Sequence, residues 1–173
     1  DTRLGALTEP IAVAVRAYER GAGAGPIVVV GAGPIGLGII AVAAASDRHP
    51  LIAVEPSPER RAAALRMGAD VACEPGTPLS DLLAEAGHEA STISPLLTGE
   101  PAVATVFECV GRPAVVQALL AEAPPRSRVV LAGACHEPVE MNPLPLTTGE
   151  VTVTTSYAYR PADFATAMRH LQK

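Results

Sequence analysis

The chain has 173 residues, room for one domain. Apolar residues make up 49% of it and charged residues 18%, with mean hydropathy +0.28, which excludes a disordered chain. A net charge of −5 and a pI of about 5.3 exclude a general nucleic-acid or anionic-membrane surface, which needs clustered Lys and Arg.

Aromatic residues are 3% of the chain and Trp is absent, so the core must be built from Ala, Val, Leu and Ile. The three cysteines, Cys73, Cys109 and Cys135, show no CxxC spacing, so neither a disulfide scaffold nor a zinc knuckle is expected. A reducing cytoplasm is the expected compartment. No signal-peptide pattern opens the chain. It has no initiator Met and stops inside a helical pattern, so a piece of a longer protein is expected.

Ile11, Val15 and Tyr18 share one helical face, predicting a helix over 8–19. The Gly21–Pro26 run breaks it. Ile27–Val30 is short, apolar and β-branched, as in a strand buried on both faces of a parallel sheet. Residues 31–36 form a tight turn, and 36–46 an all-round apolar, buried helix. Strand 51–54, helix 58–67 ended by Gly68, and strand 69–73 follow. A helix over 79–86, a polar surface excursion over 87–100 and a strand over 103–109 come next. Val115, Val116, Leu119 and Leu120 make the stripe of another helix. Strand 128–132, a Pro-rich loop at 136–149 and strand 151–155 precede a last helix with Phe164, Ala167, Met168 and Leu171 inward. Strands alternating with helices predict right-handed βαβ units in one α/β domain over 1–173. The rhythm fits a six-stranded doubly wound Rossmann sheet, order 3-2-1-4-5-6.

The strongest motif is Gly31-Ala-Gly33-Pro34-Ile35-Gly36. It follows a β-branched strand and opens a helix, and Glu55 ends the next strand 19 residues beyond Gly36. Gly31 permits the turn, Gly33 lets a pyrophosphate approach the backbone, and Gly36 lets the helix press onto the strand. Unpaired amides near Ile35 and Gly36, with the helix dipole, favour an anion; Pro34 pre-sets the turn. Glu55 is placed to accept hydrogen bonds from a ribose and to repel a 2′-phosphate, so NAD is favoured over NADP. Arg60 and Arg61 weaken that preference, because a guanidinium can receive the phosphate or stack on adenine. A glycine turn used only for packing is the competing reading. At the switch point, small residues ending the fourth and fifth strands (Gly111, and Ala132, Gly133, Ala134) would leave room for a cofactor.

Taken together, Gly5-Ala-Leu-Thr-Glu9-Pro10, the Val-Gly-Ala-Gly-Pro-Ile-Gly-Leu run, Glu55-Pro-Ser-Pro-Glu-Arg60, Met67-Gly-Ala-Asp70, Phe107-Glu-Cys-Val-Gly111 and Ser156-Tyr-Ala-Tyr159 resemble the coenzyme-binding domain of the medium-chain dehydrogenase/reductase family. Zinc-dependent polyol, threonine and alcohol dehydrogenases are its best-known members. The resemblance spans nearly the whole chain and is weakest over 76–101. It implies that Gly31, Gly33, Pro34, Ile35 and Gly36 hold the pyrophosphate, and that Glu55 and Arg60 hold the adenosine ribose. Val110 would lie beside the cofactor, with Ala132–Ala134, Ser156 and Tyr157 at its nicotinamide half. Glu9 matches a position near metal or substrate in polyol-type members.

The resemblance further implies hydride transfer between nicotinamide and a secondary alcohol or polyol in the parent enzyme. Zinc would be held by an N-terminal domain outside this chain, so no catalytic residue and no metal is expected within it, and the chain alone is expected to be inactive. Cys135-His136-Glu137 has ligand chemistry without a fourth ligand at a recognisable spacing. Partners are expected to be small molecules, neither nucleic acid nor membrane, with strand 151–155 as a candidate homodimer edge. Three alternatives remain open: a zinc-free NADPH-dependent quinone or enoyl reductase domain, a regulatory nucleotide-sensing module, and a methyltransferase.

Overall fold

A computed structural model describes residues 2–23, 25–87 and 104–172, with only the main chain of 2–4. Among the described residues thirteen elements follow one another: α1 (Thr2–Arg20), β1 (Ile27–Val30), α2 (Pro34–Ala44), β2 (Leu51–Val54), α3 (Pro58–Arg66), β3 (Val71–Cys73), α4 (Leu79–Glu85), β4 (Thr105–Glu108), α5 (Pro113–Glu122), β5 (Arg128–Leu131), α6 (Pro143–Thr148), β6 (Thr152–Thr155) and α7 (Pro161–His170). The strands form one sheet in the order β3-β2-β1-β4-β5-β6. Every pairing is parallel, with Val30 opposite Val54 on one side and Glu108 on the other. This is the expected Rossmann-type doubly wound sheet.

The strands work because their side chains alternate between two buried faces. Ile27, Val29, Leu51, Ala53, Phe107 and Val130 pack with α1 and α2 residues such as Ala14, Ile39 and Ile40. Val28, Ile52, Val106 and Val129 pack with α4 and α5 through Leu82, Leu83, Val116 and Leu120. Each fully buried Val, Ile or Leu contributes about 1.5–3 kcal/mol of transfer free energy. Phe107, wholly buried, is the one large ring in that core.

Several boundaries differ from the sequence-based expectation. The first helix begins at Thr2 and runs through Pro10. The second begins at Pro34, because proline is tolerated at a helix's first position, where its missing N–H has no partner to lose. It ends without glycine: Asp47 takes the left-handed conformation (φ 53°) instead. The expected loop at 136–149 contains α6, started by Asn142, whose Oδ1 accepts the Leu144 amide at 3.0 Å. Met168 lies outward, at 46% exposure, while Asp163 is the buried residue of α7's first turn. Most of the expected excursion at 87–100, with His88, lies outside the described residues.

Among the described residues no helix is long and apolar enough to cross a membrane. In β6 only Thr154 is half-buried; the other residues of this edge strand are exposed.

Candidate functional site

The glycine turn joins β1 to α2 with little slack. Gly31 has φ +95°, and a Cβ there would stand 2.7 Å from Val110 Cγ2. Its amide donates to the Val54 carbonyl at 2.8 Å, tying the turn to β2. A Cβ on Gly36 would collide with the Gly31 carbonyl oxygen. Gly33 differs: nothing lies within 4 Å of where its Cβ would be, so the backbone is open to a ligand. The Leu37 amide donates to the Gly33 carbonyl. The Ile35 and Gly36 amides therefore belong to the first turn, whose donors have no intrahelical acceptor.

Glu55 is only 3% exposed, yet it borders the turn. Its Oε2 accepts the Ala32 amide at 2.8 Å, and its Oε1 accepts the Ser57 amide at 3.0 Å. A carboxylate has about four acceptor positions, so two remain for hydroxyl donors. Arg61 does not face a ligand as expected. It donates to the Glu55 and Pro56 carbonyls and pairs with Glu74, each at 2.8 Å. Arg60 has no side-chain partner among the described residues.

A cavity of about 460 Å³ opens at the carboxyl ends of β1, β2 and β4, lined by Gly31, Gly33, Glu55, Arg60, Val110 and Arg112 among others. An apolar slot of about 360 Å³ adjoins it, sharing Val30, Val54, Pro75 and Val115 and reaching Leu79 and Leu119. A third hollow, of about 460 Å³, lies on α2's other flank between α1 and α3; Pro34 borders this one. Arg112, just before α5, is the wall residue that sequence reasoning missed. Pro113 at the helix start was the available signal, since it places the preceding residue at the strand-to-helix turn.

The structure gathers Gly31, Gly33, Glu55, Arg60 and Val110 around one space. Ile35 and Gly36 stand behind it at the start of α2. The remaining expected residues lie apart. Gly133 and Ala134 touch the main chain of Gly111 instead of the cavity. Ala132, half-buried, packs against the α1–α2 side of the core. Ser156 Oγ is buried without a partner among the described residues, and Tyr157 is 94% exposed on the connection between β6 and α7. Glu9 is exposed on α1.

Cys109 also lines the cavity, but burial and the neighbouring Glu108 charge push its thiol pKa up, so it is no thiolate nucleophile at neutral pH. Among the described residues no three His, Cys, Asp or Glu side chains are grouped to hold a metal ion. Cys135 Sγ lies 3.5 Å from the Glu137 carbonyl oxygen.

The fold and this cleft define the dinucleotide-binding class of α/β domain, with its ligand site at the reversal of strand order. A family model for the zinc-binding dehydrogenases matches residues 34–173, and the chain belongs to that family, as its coenzyme-binding domain. L-idonate 5-dehydrogenase of Vitis vinifera is 30% identical over 159 residues, covering 90% of this chain and 42% of that protein. L-threonine 3-dehydrogenase of Pyrococcus furiosus is 46% identical over 70 residues, 40% of this chain and 20% of that protein. A short chain alcohol dehydrogenase of Escherichia coli, solved with NADH, superposes with a TM-score of 0.77 at 25% identity, over 96% of this chain and 46% of that one. The chain thus spans less than half the length of these relatives.

Proposed function

We propose that residues 1–173 bind NAD(H) as one domain of a longer zinc-dependent alcohol, polyol or threonine-type dehydrogenase. The observation that carries this reading is the Ala32–Glu55 hydrogen bond, which fixes a carboxylate beside the open backbone of Gly33 in one cavity. The cleft suits the parts of a dinucleotide. Its diphosphate would lie over Gly33, against the amides of α2's first turn. The adenosine ribose would donate to the spare acceptor positions of Glu55. Adenine would enter the apolar slot between Val54, Leu79 and Leu119.

When bound, the nicotinamide supplies the hydride acceptor or donor; this chain supplies binding and orientation. Val110 would shape the wall beside the cofactor. Ala132–Ala134, Ser156 and Tyr157 are assigned to its nicotinamide half through the family resemblance, and Glu9 to the neighbourhood of the reacting centre. The grouping of described residues does not fit zinc, so the metal is assigned to a further domain of the parent enzyme and no step of the reaction to this chain's own side chains.

Calorimetry of the chain with NADH and NADPH tests the reading. Stoichiometric binding with NADH preferred is the expected result, with no alcohol oxidation by the chain alone. Failure to bind either cofactor would overturn it. The Arg60 guanidinium on the cavity wall, with no side-chain partner among the described residues, favours a second reading, in which NADPH is accepted equally well; matched affinities would establish that instead.

A further inference from the structure

Glu108 ends β4 between Val30 of β1 and Leu131 of β5, and it is wholly buried. Its main-chain carbonyl accepts the amides of Ala132 and Gly133 at 2.9 and 2.8 Å. Its side-chain Oε1 accepts the amides of Val110 and Gly111, both at 2.8 Å. One residue thus holds the turn from β4 to α5 and the end of β5 together. The two segments meet backbone to backbone. Gly111 sits at φ +70°, where a Cβ would be 2.7 Å from the Ala134 nitrogen, and a Cβ on Gly133 would stand 2.6 Å from Glu108 Oε2.

Oε2 itself is buried and has no hydrogen-bond partner among the described residues. A carboxylate in that position is costly, because burial disfavours charge unless each oxygen is paired. A residue serving stability alone is better satisfied or apolar. What Glu108 does provide is a fixed location for Val110, which lines the cavity, and for Arg112 just beyond.

We propose that Glu108 is a positioning residue for the cofactor cleft: it clamps the Val110–Gly111 turn against Gly133 and Ala134 and so sets the wall that the cofactor meets. The proposal rests on the NAD(H) reading above. Two measurements separate them. Glu108→Gln keeps one oxygen able to accept both amides, whereas Glu108→Ala leaves both unpaired. Val106→Ala, a core substitution on the same strand that lines neither the cavity nor the adjoining slot, controls for lost stability.

Amide exchange in the unliganded chain comes first. Val110 and Gly111 exchange at least about tenfold faster in Glu108→Ala than in Val106→Ala, and near the unaltered rate in Glu108→Gln. In the same variants NADH affinity falls about tenfold for Glu108→Ala and stays within about threefold for Glu108→Gln and Val106→Ala. Unchanged exchange at Val110 and Gly111 in Glu108→Ala overturns the clamp. Faster exchange with NADH affinity equal to that of Val106→Ala overturns its link to the cofactor. Glu108→Gln behaving like Glu108→Ala also overturns it, because the acceptor oxygen would then not be what matters. Should the unaltered chain bind no NADH, the cofactor reading fails together with the purpose assigned to the clamp, whatever the exchange rates show.

Discussion

The Ala32 amide donates to Glu55 Oε2 at 2.8 Å across 23 residues of chain. The turn after β1 and the acid after β2 are therefore one unit, not two neighbouring motifs. Because Glu55 also accepts the Ser57 amide, its removal leaves two main-chain donors unpaired in a buried place. Glu55→Ala is expected to cost about 1–3 kcal/mol of stability. It should also weaken NADH binding and raise the NADPH-to-NADH affinity ratio. Denaturant unfolding and paired calorimetric titrations read both effects; unaltered stability would show that the unit does not exist in solution.

Two glycines of the same turn should separate packing from ligand approach. A Cβ at Gly36 has no space, so Gly36→Ala should destabilise by about 1–3 kcal/mol, as overpacking does. Gly33 has open space and an extended backbone (φ −76°, ψ −173°) that any residue adopts. Gly33→Ala should leave stability within about 0.5 kcal/mol, yet weaken NADH, since its methyl would occupy the approach to the backbone. Equal behaviour of the two variants in thermal melts and titrations would contradict this division.

Adjacent arginines have opposite employment. Arg61 is spent on the Glu55 and Pro56 carbonyls and on Glu74, while Arg60 borders the cavity with no side-chain partner among the described residues. Arg61→Ala is expected to lower stability by about 1–2 kcal/mol through the lost charge-assisted bonds. Arg60→Ala should leave the melting temperature in place and change the affinity for NADPH more than that for NADH. A melting shift in Arg60→Ala as large as that in Arg61→Ala would refute the assignment.

At the opposite end of the sheet, His49 Nδ1 lies 2.8 Å from Asp70 Oδ2, which also accepts the Leu51 amide at 2.7 Å. The Asp70 hydrogen bond raises the His49 pKa above its ordinary 6.5. Burial raises the Asp70 carboxyl, but the bonds from His49 and Leu51 outweigh it and hold it below the ordinary 3.8. The His49 contribution is complete below pH 6.5 and is lost as pH rises through its elevated folded value. The Asp70 contribution is present above pH 3.8 and is lost as pH falls through its depressed one. Melting temperature should therefore decline from pH 6 toward 8 more steeply in the unaltered chain than in His49→Ala. Parallel profiles would exclude the pair as a source of pH dependence.

Much of the fold was legible because its signals are local. Four-residue β-branched runs such as Ile27–Val30, glycines at turns and prolines at helix starts each act within a few residues. The small helix α6 went unread although Asn142-Pro143 is a helix-start signal, because prolines crowd the segment. Met168 was misplaced by a periodicity that Phe164 and Ala167 satisfy without it. In the site, Glu55 was legible through its spacing from the glycines. Arg61 on α3 meets Glu74 just past β3, and the Glu108 carbonyl meets Ala132 and Gly133 past β5; both contacts join different elements, where no spacing rule reaches.

From Gly21 to Ser46, through β1, the glycine turn and α2, the chain carries no ionisable side chain. This stretch therefore meets a negative group at the mouth of α2 with peptide dipoles and no charged side chain of its own. Such dipoles neither gain nor lose protons, so this half of the attraction should stay constant from acid to alkali.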